Sequence, residues 1–128
     1  MRLLLDTHAL LWWWADDERL SPAARAAITD ARHTVLVSAA CAWEIATKQR
    51  IGKLPEWPLP PGGFDAQLAL DGFQSLPVTT AHAWHAGRLD WPHRNPFDRM
   101  LAAQAQSERL TLVSCDAVFG QVGVPVLW

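Results

Sequence analysis

Arg2-Leu3-Leu4-Leu5-Asp6 is an apolar run too short for a helix and closed by a carboxylate, and it is the first of a series. Val35 to Ser38, Phe73 to Leu76, Leu110 to Ser114 and Val124 to Leu127 repeat the pattern of a short apolar stretch without polar alternation. Strands of that kind are buried on both faces. The segments between them carry helix signals. Ser21-Pro22 joins an N-capping side chain to a proline at the first helical position, and Asn95-Pro96 does the same. Short apolar strands alternating with helices imply an α/β fold: a parallel sheet of about five strands, covered on both sides.

The helices are expected from Thr7 or His8 through Trp12-Trp13-Trp14, from Ser21 to Arg32, and from Ser38 or Ala39 to Arg50. Gly52 stands where a C-terminal glycine cap belongs. Further helices are expected over Phe64 to Asp71, from Thr79 or Thr80 through Trp84, and from Asn95 to Glu108. Leu54 to Gly63 holds four of the nine prolines and reads as a loop within one domain, residues 1–128, because the pieces on either side are too small to fold alone. A chain of 128 residues buries roughly two-thirds of its unfolded surface. Half of its residues are hydrophobic and 19% are charged, which excludes a disordered chain.

The longest apolar run, Ala9 to Ala15, falls far short of the ~20 residues of a membrane span. Met1-Arg2-Leu3-Leu4-Leu5 meets Asp6 before reaching the ~7–15 apolar residues of a secretory leader, so a cytoplasmic chain is expected. Cys41 and Cys115 make neither a disulfide scaffold nor a zinc pattern. A net charge of −2 excludes a uniformly basic nucleic-acid binder and leaves room for a local basic patch.

In an open α/β sheet, ligands collect beyond the carboxyl ends of the strands. Asp6 ends the first strand, and Asp116 lies just past the fourth. Glu44 is in the second turn of the helix after the second strand. Asp98 is in the first turn of the helix before the fourth. Each has an ordinary alternative. Asp6 can cap a helix, Glu44 can pair with Lys48 one turn on, Asp98 suits a helix dipole and Asp116 a turn. Four carboxylates at one sheet edge repel one another, and a divalent cation relieves that repulsion. Oxygen-only ligands suit Mg²⁺ or Mn²⁺, which would polarise a phosphodiester and deprotonate a water for in-line attack.

Four blocks of residues resemble those of PIN-domain proteins, and most closely the VapC toxins among them. They are Leu4-Leu5-Asp6-Thr7-His8-Ala9-Leu10-Leu11-Trp12, Ser38 to Ile45 with Gly52-Lys53-Leu54, His93 to Ala105, and Ser114-Cys115-Asp116 with Phe119. The resemblance runs the length of the chain. It implies a three-layer α/β/α fold, and an endoribonuclease toxin that uses Mg²⁺ or Mn²⁺ to cut cellular RNA. It also implies a homodimer and inhibition by a cognate antitoxin, with no direct DNA binding by this chain. By position, the acids carried over are Asp6, Glu44, Asp98 and Asp116, of which Glu44 and Asp116 could act through water. Thr7 or Ser114 could add a hydroxyl. One departure is Asn95, where many relatives have Asp; the capping role survives, and the missing acid bears on metal affinity.

Flanking cations must offset an acidic site if RNA is to approach. Lys48 and Arg99 lie within one turn of Glu44 and Asp98 and are expected to bind phosphate. Trp12, Trp13 and Trp14 point about 100° apart and cannot all face one core, so this helix, with the helix after Ser21, is expected to form part of the groove for an antitoxin segment or the dimer contact; the ordinary alternative is that all three are buried or half-buried within the monomer. His82 and His85 are expected on a helix surface, and His8 and His93 near the site. Two further readings stay open. One is a catalytically silent partner-binding module. The other is a phosphotransfer enzyme with an Asp nucleophile, against which stands His8 in place of the second Asp that such chemistry favours.

Overall fold

The computed structural model describes all 128 residues. The chain forms β1 (Arg2–Leu5), α1 (Thr7–Trp14), α2 (Pro22–Thr29), β2 (Thr34–Ser38), α3 (Ala39–Arg50), α4 (Gly63–Asp71) and β3 (Gln74–Leu76). It continues through α5 (Thr80–Arg88), α6 (Pro96–Glu108), β4 (Thr111–Val113), a 3-10 segment (Ala117–Val122) and β5 (Val126–Leu127). All strand pairs are parallel, in the order β3-β2-β1-β4-β5. Leu3, Leu4 and Leu5 are fully buried because β1 is the central strand with a neighbour on each side, Leu4 facing Leu36 and Leu112 in register. Each such leucine contributes roughly 1.5–3 kcal/mol by burial.

Travel from β1 to β2 to β3 crosses the sheet one way, and β3 to β4 returns past β1. Right-handed crossovers therefore put helices on both faces. The return also makes β1–β4 the point where strand order reverses, with a crevice beyond the carboxyl ends. α5 and α6 run antiparallel, the start of α5 tied to the end of α6 where His82 Nε2 meets Glu108 at 2.8 Å. No helix is long and apolar enough to cross a membrane.

Several bounds differ from expectation; β3 starts at Gln74 rather than Phe73, and β4 is confined to Thr111–Val113. α2 ends at Thr29 rather than Arg32, because the Asp30 carboxylate accepts the Arg32 N–H and guanidinium and turns the chain toward β2. β5 is confined to Val126–Leu127. Between β4 and β5 stands the 3-10 segment, which was not anticipated and which Asp116 caps.

Candidate active site

Asp6 leaves β1 and becomes the N-cap of α1, its Oδ1 accepting the Ala9 N–H at 2.7 Å. Its own N–H donates to Val113 O, which extends the ladder to β4 and fixes the carboxylate at the crevice. Asp116 is held by a turn. Its N–H donates to Ser114 Oγ, and its Oδ1 accepts the Val118 N–H at 3.0 Å. Glu44 is only 5% exposed in the second turn of α3, where it accepts a hydrogen bond from the Thr7 hydroxyl and lies 2.6 Å from Lys48 Nζ. Asp98 is the third residue of α6. Asn95 caps that helix by accepting the Phe97 and Asp98 N–H groups, and His93 Nε2 donates to Asp98 Oδ2 at 2.7 Å.

The four acids line one open cleft of about 540 Å³, together with Thr7, His8, Lys48 and Asn95. The ordinary roles weighed for Asp6, Glu44 and Asp116 are therefore all present, and they coexist with convergence on the cleft.

Burial pushes the Asp6 carboxyl above the usual carboxylate range, against the lowering effects of the Ser114 hydroxyl and the Ala9 N–H. Burial does the same to Asp98, opposed by His93 and reinforced by the charges of Glu44 and Asp116. Lys48 offsets Glu44 and His93 faces Asp98, while Asp6 and Asp116 have no basic side chain in a salt bridge. An all-oxygen donor set with uncompensated negative charge fits a hard divalent cation. No three of the His, Cys, Asp and Glu side chains stand close enough to hold an ion as they are, so the donor chemistry is in place and the ligand geometry is not preset.

Arg99 does not face this cleft. All five of its N–H donors go to main-chain carbonyls: Nε to Ala86, Nη1 to Trp91 and His93, Nη2 to Gly87 and Leu89. A guanidinium so occupied has no donor left for phosphate, which corrects the expected RNA contact.

The three tryptophans of α1 are half-buried and diverge into the protein's own aromatic layer. Trp12 packs between His8 and Trp128, Trp13 meets Phe73, and Trp14 stacks on Trp57 with its edge against Phe64. Trp14 Nε1 also donates to Asp71 at 2.9 Å. The three rings thus follow the ordinary alternative, half-buried within the monomer.

His82 is not a surface residue. It is 2% exposed and closes a capping box with Thr79, its Nδ1 accepting the Thr79 N–H. The usual box has Glu or Gln at this position, so the sequence carries little signal for it. The contact of His93 with Asp98, and the edge-on packing of Trp43 against Phe97 between α3 and α6, were also not foreseen.

The PIN domain family model matches residues 3–125. Ribonuclease VapC16 of Mycobacterium tuberculosis is 42% identical over 62 residues, a stretch that spans 48% of this chain and 43% of that protein, so less than half of the relative's length is matched. Among solved structures, VapBC2 from Rickettsia felis, bound to a DNA fragment from its promoter, superposes with a TM-score of 0.67 at 14% identity, covering 99% of this chain and 98% of that one. DNA-bound VapBC from Salmonella typhimurium gives 0.65 at 16% identity, covering 99% and 97%. FitAcB from Neisseria gonorrhoeae gives 0.56 at 20%, covering 98% and 96%. At such identities the likeness is one of fold.

Proposed function

The chain belongs to the PIN domain family, and on that premise we propose that it is a divalent-metal-dependent endoribonuclease of the VapC type, the toxin of a toxin–antitoxin pair. The observation that carries this reading is the convergence of Asp6, Glu44, Asp98 and Asp116, from four separate segments, on one cleft. Partial identity to a ribonuclease VapC supports the same reading.

Asp6 and Asp98 are the acids proposed to hold Mg²⁺ or Mn²⁺ directly, with Glu44 and Asp116 completing the set, directly or through water. Such an ion supplies Lewis-acid polarisation of a phosphodiester and acidification of the attacking water. The Thr7 hydroxyl and Lys48 orient Glu44 by engaging one carboxylate oxygen each. Lys48 also lines the cleft, where its charge opposes the repulsion of an RNA backbone by the acids.

The partner reading follows from the cleft's surroundings. His8 and Trp12 line both the acidic cleft and a neighbouring apolar groove of about 270 Å³ that includes Leu11, Leu54, Pro55 and Trp57. A cognate antitoxin segment seated in that groove would abut the acids and block substrate. A homodimer is proposed on the resemblance alone.

The test is incubation of purified, partner-free protein with total RNA and Mg²⁺ or Mn²⁺, with EDTA as control. Discrete cleavage lost on chelation is expected. A folded sample that cleaves no RNA under any of these conditions would overturn the enzyme reading in favour of a silent binding module.

A further inference from the structure

We propose that Arg99 is a positioning residue that sets the orientation of Asp98 through His93. The proposal rests on the reading of Asp98 as a metal-holding carboxylate. Arg99 lies one residue beyond Asp98 in α6, yet its side chain turns away from the cleft and gathers the segment that leads into the site. Nε and Nη2 take Ala86 O at 3.0 Å and Gly87 O at 3.4 Å, carbonyls of the last turn of α5 that have no partner within their helix. Nη2 also takes Leu89 O at 2.7 Å, and Nη1 takes Trp91 O at 2.7 Å and His93 O at 3.0 Å. A cation suits the C-terminal end of a helix dipole, and only the planar fork of arginine presents five donors in fixed directions.

The consequence falls on His93. Residues 89–95 form no helix or strand between α5 and α6, so little else fixes their path. Arg99 holds His93 by its carbonyl. Trp91, held by its own carbonyl and by its Nε1–H bond to Gln121 at 2.9 Å, packs its ring 4.7 Å from the His93 imidazole. Ring and main chain are thereby fixed, and Nε2 meets Asp98 Oδ2 at 2.7 Å. One carboxylate oxygen is engaged by the imidazole, so the rotamer of Asp98 is set from the same helix turn that carries Arg99. Outer residues of this kind orient metal-holding side chains, and their loss commonly costs about 10–100-fold in metal affinity.

The experiment compares wild type, Arg99→Lys, His93→Gln and the double variant, each first shown to be folded by circular dichroism. Lysine keeps the charge and loses the fork. Two quantities are read without RNA: Mn²⁺ affinity by electron paramagnetic resonance, and the hydrogen-bonded Nε2–H resonance of His93 by NMR. His93→Gln is expected to weaken Mn²⁺ binding on the order of tenfold. Arg99→Lys should weaken it in the same direction, erase the His93 resonance, and add nothing further in the His93→Gln background. Multiplicative losses in the double variant, or an unchanged resonance in Arg99→Lys, would overturn the proposal. A wild type that binds no Mn²⁺ would instead overturn the metal reading of Asp98. The resonance then decides the positioning role alone, its loss in Arg99→Lys supporting it and its retention refuting it.

Discussion

Lys48 Nζ lies 2.6 Å from Glu44 Oε2, one turn further along α3, and it is the only side-chain cation in a salt bridge with that buried carboxylate. Glu44 also holds the Thr7 hydroxyl, so the pair ties α3 to the start of α1. Removing the lysine leaves the Glu44 carboxylate buried without a counter-charge, which costs more than the pair itself contributes. Because the Lys48 side chain is 29% exposed, water offsets part of that loss. Lys48→Ala is expected to destabilise the fold by about 1–2 kcal/mol in guanidinium denaturation. Glu44→Gln combined with Lys48→Met is expected to recover most of it. Equal destabilisation by the single and double variants would contradict the account.

The pH dependence follows from Asp6 and Asp98, whose carboxyls burial raises above their ordinary value. A raised native pKa means that the folded protein binds more protons than the unfolded chain between the unfolded pKa, about 4, and the native one. These two groups therefore make stability fall as pH rises through that window, and above their native pKa values the metal-free fold carries their full penalty. Mg²⁺ or Mn²⁺ should remove it. Thermal melts at pH 7 should move up with millimolar Mn²⁺ and less so at pH 4.5, where protons compete for the same oxygens. A melt insensitive to Mn²⁺ at both pH values would count against the site.

Much of the candidate site was legible because Asp6 and Asp98 are each placed by a local signal. The Leu3-Leu4-Leu5 run ends in Asp6, and Asn95-Pro96 starts the helix that carries Asp98. Strand order then joins them, since β1 and β4 are adjacent. What was not legible depends on partners distant in sequence and chemically generic. Arg99 spends its donors on carbonyls up to thirteen residues away, and any residue supplies a carbonyl. His82 stands in for the usual Glu of a capping box, and its partner Glu108 lies on another helix. The sequence shows that Trp12, Trp13 and Trp14 diverge, but the rings that receive them, Trp57, Phe73 and Trp128, come from loops and the C-terminus, which carry no periodic pattern.

Asp71, at the end of α4, accepts from Trp14 Nε1 at 2.9 Å and, more weakly, from Trp13 Nε1 at 3.4 Å. Asp71→Ala leaves both indoles half-buried without this acceptor, at an expected cost of about 1–2 kcal/mol. Tryptophan emission should shift to the red before global unfolding as the aromatic layer loosens. Unchanged emission and stability would show that the indoles find water instead.

The cysteines should differ in reactivity. Cys41 is buried, and burial pushes its thiol up to about 12, whereas Cys115 is exposed at the cleft with its thiol raised to a lesser extent by partial burial and the nearby acids. Only the thiolate reacts. Iodoacetamide on the native protein is expected to label Cys115 alone, slowly and faster with rising pH, with both residues labelled after unfolding. Native labelling of Cys41, read by peptide mass, would contradict the packing of α3 on β1.

The most direct measurement joins cleavage and stability in a single variant, Asp6→Asn. The amide can still accept the Ala9 N–H while removing a buried charge. The account predicts loss of Mn²⁺-dependent RNA cleavage together with a metal-free fold more stable on the order of 1 kcal/mol, a rise in Tm of roughly 4 °C. Retained cleavage, or a variant that is both inactive and less stable, would contradict the claim that Asp6 is kept charged at a cost to the fold in order to hold a metal ion.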